Sequence, residues 1–187
     1  MLQPNFNPFP EIKTERLLLR RLKKGDAEEI LKLRSDENVM KYIGKEIAAS
    51  LSDAIEFINR INESLITNNG ITWAITLQEN PDKLIGTIGH WRVIKEHYRA
   101  EVGYMLQPEY WKKGIMKEAL LKVIDFGFNE LHLHSIEANI NPENIASAGI
   151  LEATGFIREA YFKEDFFFKG VFSDTAIYSK LKTTPIT

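Results

Sequence analysis

The chain has 187 residues, 44% apolar and 27% charged, which suits one domain with a sizeable core and is ordinary for a soluble globular protein. A formal net charge of −2 offers no global basic field for nucleic acid, and the lack of cysteine excludes disulfides, thiolate metal sites and a cysteine nucleophile. No run approaches the roughly 18 apolar residues of a membrane span, and Met1 to Pro10 has no basic start or apolar stretch of a signal peptide, so a cytoplasmic protein with no membrane partner is expected.

Met1 to Pro10 holds three prolines and no periodicity, and reads as a loosely packed part of an N-terminal extension, residues 1–13. Thr14 to Leu22 reads as a first strand centred on Leu17, Leu18 and Leu19. Asp26-Ala27-Glu28-Glu29 has the form of a capping box, with Glu29 reaching back, before a short helix to about Arg34. Ser35 to Ala49 is a connection. Ser50 or Ser52 caps a second helix carrying Ile55, Ile58, Ile61 and Leu65, and Asn68-Asn69-Gly70 stops it. Ile71 to Leu77 is a strand, Asn80-Pro81-Asp82 a turn, and Leu84 to Val93 and Glu101 to Leu106 are further strands.

The next stretch is the most informative. Glu101 to Leu106 ends at Pro108, a basic turn follows at Lys112-Lys113-Gly114, and a long helix runs from about Ile115 to Glu130. Met116, Ala119, Leu120, Val123, Ile124, Phe128 and Leu131 recur with a period near 3.6, so one face is buried, and Gly127 within it allows close packing on a sheet. The first turn of a helix presents unpaired N–H groups and partial positive charge. With Gly114 admitting close approach and Lys112, Lys113 and Lys117 around it, the construction suits a phosphate or pyrophosphate. An ordinary solvated strand-turn-helix has the same pattern.

Ser135 to Ile140 is a strand. Asn144 caps a short helix ending at Gly155, where Phe156 folds back on Leu151. Tyr161 to Phe168 and Ser173 to Lys180 are aromatic-rich strands joined at Lys169-Gly170. The order β-α-α-β-β-β-α-β-α-β-β describes a single mixed α/β domain over residues 14–187, with a mostly antiparallel twisted sheet of about seven strands and about four helices. His132 and His134, two apart near a strand, would share a face, but no third ligand stands nearby and no metal is expected.

Glu101-Val102-Gly103-Tyr104 followed by Tyr110-Trp111-Lys112-Lys113-Gly114-Ile115-Met116-Lys117-Glu118-Ala119 resembles the acetyl-CoA pyrophosphate loop of the GNAT acetyltransferase superfamily. The branch it most resembles contains the ribosomal-protein N-terminal acetyltransferases. Trp111 and Met116 stand where the wider superfamily carries Arg or Gln and Gly or Ala. The resemblance spans about Thr14 to Leu181 and implies the GNAT fold with acetyl-CoA as cosubstrate. Direct attack of an amine on the thioester is implied, with no covalent enzyme intermediate and no metal. It places Glu101 as a base acting through water. A bulge at Tyr104-Met105-Leu106 would free backbone groups, with the Met105 N–H on the thioester oxygen. Met105, Leu106, Gln107, Lys112, Lys113, Gly114, Ile115, Met116 and Lys117 would line the cofactor. Asn144 would bond it as well, and Ser147 would stand near the sulfur as proton donor, with Tyr161 as an alternative acid. Each residue also has a bland role: a strand-edge carboxylate for Glu101, a helix cap for Asn144, a first-turn hydroxyl for Ser147.

The acceptor implied by the branch is a protein N-terminal α-amine, with polyamines, antibiotics or other small amines as alternatives. A non-catalytic CoA-binding regulator on the same fold is the rival class. A monomer or homodimer fits either. A generic nucleotide-binding α/β domain needs an early glycine loop and alternating βα units, which this order lacks.

Overall fold

The computed structural model describes residues 1–182, so residues 183–187 of the expected domain lie outside the described residues. The chain runs β1 (Ile12–Lys13), β2 (Leu17–Arg21), α1 (Ala27–Ser35), α2 (Glu37–Met40), α3 (Leu51–Ile66), β3 (Ile71–Leu77), β4 (Asn80–Ile94), β5 (Arg99–Leu106), α4 (Ile115–Asn129), β6 (Ser135–Ile140), α5 (Ile145–Ala153), β7 (Ile157–Phe168) and β8 (Val171–Leu181). The strands form one sheet in the order β1-β2-β3-β4-β5-β6-β8-β7. Neighbours are antiparallel except β5 and β6, which are parallel. The eighth strand beyond the expected seven is β1, a two-residue piece that folds back on β2.

Alternation along each strand sends side chains to opposite faces, and each face has its own core. Trp73 and Ile75 of β3 join Leu120, Val123 and Ile136 under α4, whereas Ala74 joins Ile30, Leu33 and Ile58 under α1 and α3. The α4 stripe is buried as its period requires. Gly127 is needed there because a Cβ would sit 2.7 Å from His90 Nε2 and 3.0 Å from Ile136 Cδ1. Ser50, not Ser52, caps α3, in a reciprocal box with Asp53.

Several expectations are corrected. The N-terminal residues pack closely: Leu2 and Phe6 are buried, Leu2 N–H donates to Lys95 O, and Trp73 Nε1 donates to Pro10 O. Apolar contact outweighs the absence of periodicity. Asp26 precedes α1 without the expected box with Glu29. Its buried carboxylate instead holds Arg20 in a bidentate pair at 2.9 and 2.7 Å, and Glu29 takes Gln107 Nε2 at 2.7 Å. The turn before β4 falls at residues 78–79, and Asn80 to Asp82 already belong to the strand. His132 and His134 lie in the connection just before β6, and both are exposed.

Candidate active site

The parallel pairing of β5 with β6 lasts only three rungs, Arg99 with Ser135, Ala100 with Ile136 and Glu101 with Glu137. Beyond Glu101 the strands part: Val102 to Leu106 stay on β4, while Ala138 to Ile140 stay on β8. The result is a V-shaped cleft whose apex is Glu101. The irregularity behind it is not at 104–106 but on β4. There His90 pairs with Val102 and Arg92 with Glu101, leaving Trp91 as an extra residue. A bulge of this kind sharpens the local twist and turns one strand away from its neighbour.

The phase of the β4–β5 ladder decides which backbone groups face the cleft. Gln107 N–H donates to Ile85 O at 2.9 Å, and the register pairs Thr87 with Met105 and Gly86 with Leu106. Antiparallel pairs alternate between bonded and non-bonded, so Met105 exchanges its groups with Thr87, and those of Tyr104 and Leu106 point into the cleft. The expectation for the Met105 N–H is therefore corrected: it is bound within the sheet. Leu106 O accepts from Trp111 Nε1 at 2.7 Å, which fits this phase. Gln107 is corrected too. Its side chain is buried and bound to Glu29 and Leu84 O, so it fastens α1 to the sheet.

At the apex Glu101 and Glu137 are both buried cross-strand partners. Arg92 Nη2 lies 3.0 Å from Glu101 Oε2 and 3.1 Å from Glu137 Oε1, and Arg99 pairs with the other oxygen of Glu137. Burial raises the Glu101 carboxyl above its usual range, against the pull of Arg92 and with an added push from Glu137.

Strand alternation puts Tyr104 on the opposite face from Glu101. Its hydroxyl lies 2.7 Å from Ser147 Oγ, so the pair ties β5 to the start of α5. Ser147 is buried at the start of α5, where Asn144 Oδ1 accepts its N–H at 3.1 Å. The capping role of Asn144 is thus present. Burial pushes Tyr104 up to about 12, with the Ser147 contact working the other way. The sequence reading gives the Tyr104 hydroxyl no role, although the alternation from Glu101 already sets its face. Tyr161 is elsewhere, on β7, bonded to Asp174.

The basic turn meets the expected geometry. Gly114 has φ +75°, a conformation L side chains rarely adopt, and no side chain caps α4. Among the described residues, no carbonyl or side chain accepts the N–H groups of Ile115, Met116 and Lys117. Ile115 and Met116 turn their side chains into the core, so only their backbone is available there; Lys112, Lys113 and Lys117 are exposed. Sequence reasoning missed the brace behind the loop. Arg16 donates to Lys113 O at 3.0 Å and pairs with Glu118 at 2.6 Å, tying the turn to the start of β2. Uncapped helix N–H groups, a left-handed glycine and free strand-edge groups together fit a pyrophosphate at one end and an amide-bearing arm along the cleft.

A groove of 710 Å³ opens between the loop after α2, the end of β6 and the β7–β8 hairpin. Its walls include Lys41, Tyr42, Glu143, Phe166, Phe172 and Asp174, together with Asn139, which also faces Glu101. Lys169 in the hairpin turn reaches Glu46 at 2.8 Å, spanning from the hairpin to the loop. Among the described residues no group of three or more His, Asp or Glu is placed to hold a metal ion, and no helix is long and apolar enough to cross a membrane.

The chain is similar to known proteins along most of its length. Residues 16–157 match the acetyltransferase (GNAT) domain family. The uncharacterized N-acetyltransferase YoaA of Bacillus subtilis (strain 168) is 36% identical over 174 residues, 93% of this chain and 98% of that one. The structure of ribosomal-protein-S5-alanine acetyltransferase from Vibrio fischeri superposes with a TM-score of 0.81 at 26% identity, covering 92% of this chain and 96% of that one. Spermidine N-acetyltransferase from Vibrio cholerae, solved in complex with CoA and spermine, gives 0.79 at 26% identity, covering 90% and 96%. With a family match over most of its length and a close relative along nearly all of it, the chain belongs to the GNAT family of acetyl-CoA-dependent N-acetyltransferases.

Proposed function

We propose that the acceptor is a protein N-terminal α-amine, entering by the groove and meeting the thioester at the apex of the V. The observation that carries this reading is the groove itself. Its lining includes Asn139, which lies beside Glu101, and its walls mix aromatic rings with Lys41 as well as carboxylates. Such a mixture suits a peptide end, with its amine, carbonyls and first side chain, better than a polycation. Chemistry adds to it: at pH 7 about one α-amine in ten is neutral, against roughly a few lysine-type amines in ten thousand.

Position supports the following roles. Glu101 takes the proton from the amine nitrogen as the N–C bond forms. A cleft-facing N–H of Tyr104 or Leu106 supports the thioester oxygen. The C–S bond breaks on the opposite face, where Tyr104 and Ser147 donate a hydrogen bond to the departing sulfur, which then takes its proton from water. The N–H groups at 115–117, with Lys112, Lys113 and Lys117 nearby, hold the pyrophosphate, and Asn144 lies along the same cofactor.

A polyamine acceptor draws support from Glu143, Glu164 and Asp174 on the groove wall. Asp174, however, already accepts from the Tyr161 hydroxyl and the Glu164 N–H. A panel of short peptides with free N-termini, Nα-blocked lysine peptides and spermidine, assayed with acetyl-CoA, separates the readings. Peptide α-amines are expected to show the highest kcat/KM. Spermidine exceeding them by about tenfold or more, about 1.4 kcal/mol, would move the acceptor to the small-amine class.

A further inference from the structure

Glu101 and Glu137 face each other on the last rung before the strands part, and both are buried. Two carboxylates so placed stay charged together only with a cation between them. Arg92 is that cation, and one nitrogen serves both: Nη2 is 3.0 Å from Glu101 and 3.1 Å from Glu137. It reaches them because the extra residue at Trp91 resets the alternation of β4. Trp91 then lies over Gly103, where a Cβ would come within 3.1 Å of its ring, and Arg92 lies over Glu101 on the same face. Arg99 holds the far oxygen of Glu137. The four groups form a neutral line, Arg99–Glu137–Arg92–Glu101, that ends beside the groove.

We infer that Arg92, shared between Glu101 and Glu137, is a positioning residue that holds the Glu101 carboxylate beside Asn139 of the groove wall and sets how readily it takes a proton. The inference rests on Glu101 acting as the base. The charged groups acting on Glu101 are Arg92 on β4 and Glu137 on β6, with Arg99 on β5 one step further. Asn139 and Trp91 beside it are uncharged, as is Ser179, the β8 partner of Glu137. Glu137 therefore acts on Glu101 twice, by repelling its charge and by sharing Arg92. Removing Glu137 eases ionisation of Glu101; removing Arg92 hinders it.

The two substitutions must then move Glu101 in opposite directions, which loss of packing alone would not do. Protein labelled with ¹³C at the glutamate carboxyl is titrated by NMR, with Glu101 identified by its loss in Glu101→Gln. The expected midpoint rises by about one pH unit or more in Arg92→Gln and falls in Glu137→Gln. Arg92→Lys, which keeps the charge, should restore most of the wild-type midpoint. Midpoints that do not move, or move together, overturn the inference. The base reading is judged separately by turnover: Glu101→Gln is expected to lose about 10²–10⁴ in rate with a peptide N-terminus. Wild-type turnover there sinks the base reading, whatever the titration gives.

Discussion

Tyr104 and Ser147 form a hydroxyl pair at 2.7 Å, and the upward shift of Tyr104 bears on what it can do. Tyr104 is pushed up to about 12, whereas an ordinary thiol ionises near about 8.5. Handing a full proton to the thiolate would be uphill by several pH units. The role proposed for the pair is hydrogen bonding to the sulfur as charge builds, by both hydroxyls as one unit. Ser147→Ala and Tyr104→Phe should each lower kcat by about tenfold to a hundredfold, toward or below the low end of acid–base effects, with little change in KM for acetyl-CoA. The double variant should be no worse than the weaker single one, because groups acting together are not additive. Steady-state kinetics on the three proteins checks this. Multiplying effects would mean separate roles, and unchanged kcat would leave Ser147 as a first-turn residue only.

Among the elements, α4 carries the cofactor argument through its first turn. A Cβ at Gly114, which has φ +75°, would meet only Arg16 Nη2, at 3.5 Å, so space is not what demands glycine. Backbone conformation is. Asn tolerates the left-handed region better than other residues, whereas Val does not. Gly114→Asn should keep the fold and still weaken acetyl-CoA binding at least tenfold, about 1.4 kcal/mol, by placing a side chain at the helix entrance. Gly114→Val should lose binding and thermal stability together. Calorimetry with acetyl-CoA on a folded Gly114→Asn protein gives the answer, and wild-type affinity there would remove the phosphate-loop assignment.

At the scale of the whole molecule, stability should depend on pH through His90, buried between β4 and α4. Its Nε2 bonds Val123 O at 2.9 Å, and burial pushes it down to about 4. The unfolded chain binds this proton near about 6.5 and the folded one only near 4. The neutral ring is therefore fully compatible with folding above pH 6.5, and stability is lost as pH falls from there to 4. The loss is roughly 3 kcal/mol from this group. Glu101, raised by burial, opposes it over part of that window. Denaturant unfolding of wild type and His90→Gln, which can keep the bond to Val123, isolates the contribution. The variant should lose less stability between pH 6.5 and 4, and parallel curves would contradict the account.

Much of this protein was legible in its sequence because local physics sets it. The apolar period of α4, the Asn144 cap, the turn at Lys169-Gly170 and the glycine at 114 each follow from chain geometry within a few residues. Glu101 lies on the last rung before β5 and β6 part and Ser147 in the first turn of α5, and the resemblance to the GNAT family held. Long-range contact decided the rest. Asp26 follows Arg20 rather than the helix end, and Gln107 follows Glu29, because a buried polar group takes the strongest partner that folding brings near. Met105 gives its assigned N–H to the ladder with Thr87, whose phase is set by the pairing of β4 with β5. Which strand neighbours β5, where the two part, and which charges meet at their parting are properties of the assembled sheet. No short window of sequence contains both β4 and β6, so only the tertiary structure could set Arg92 between Glu101 and Glu137.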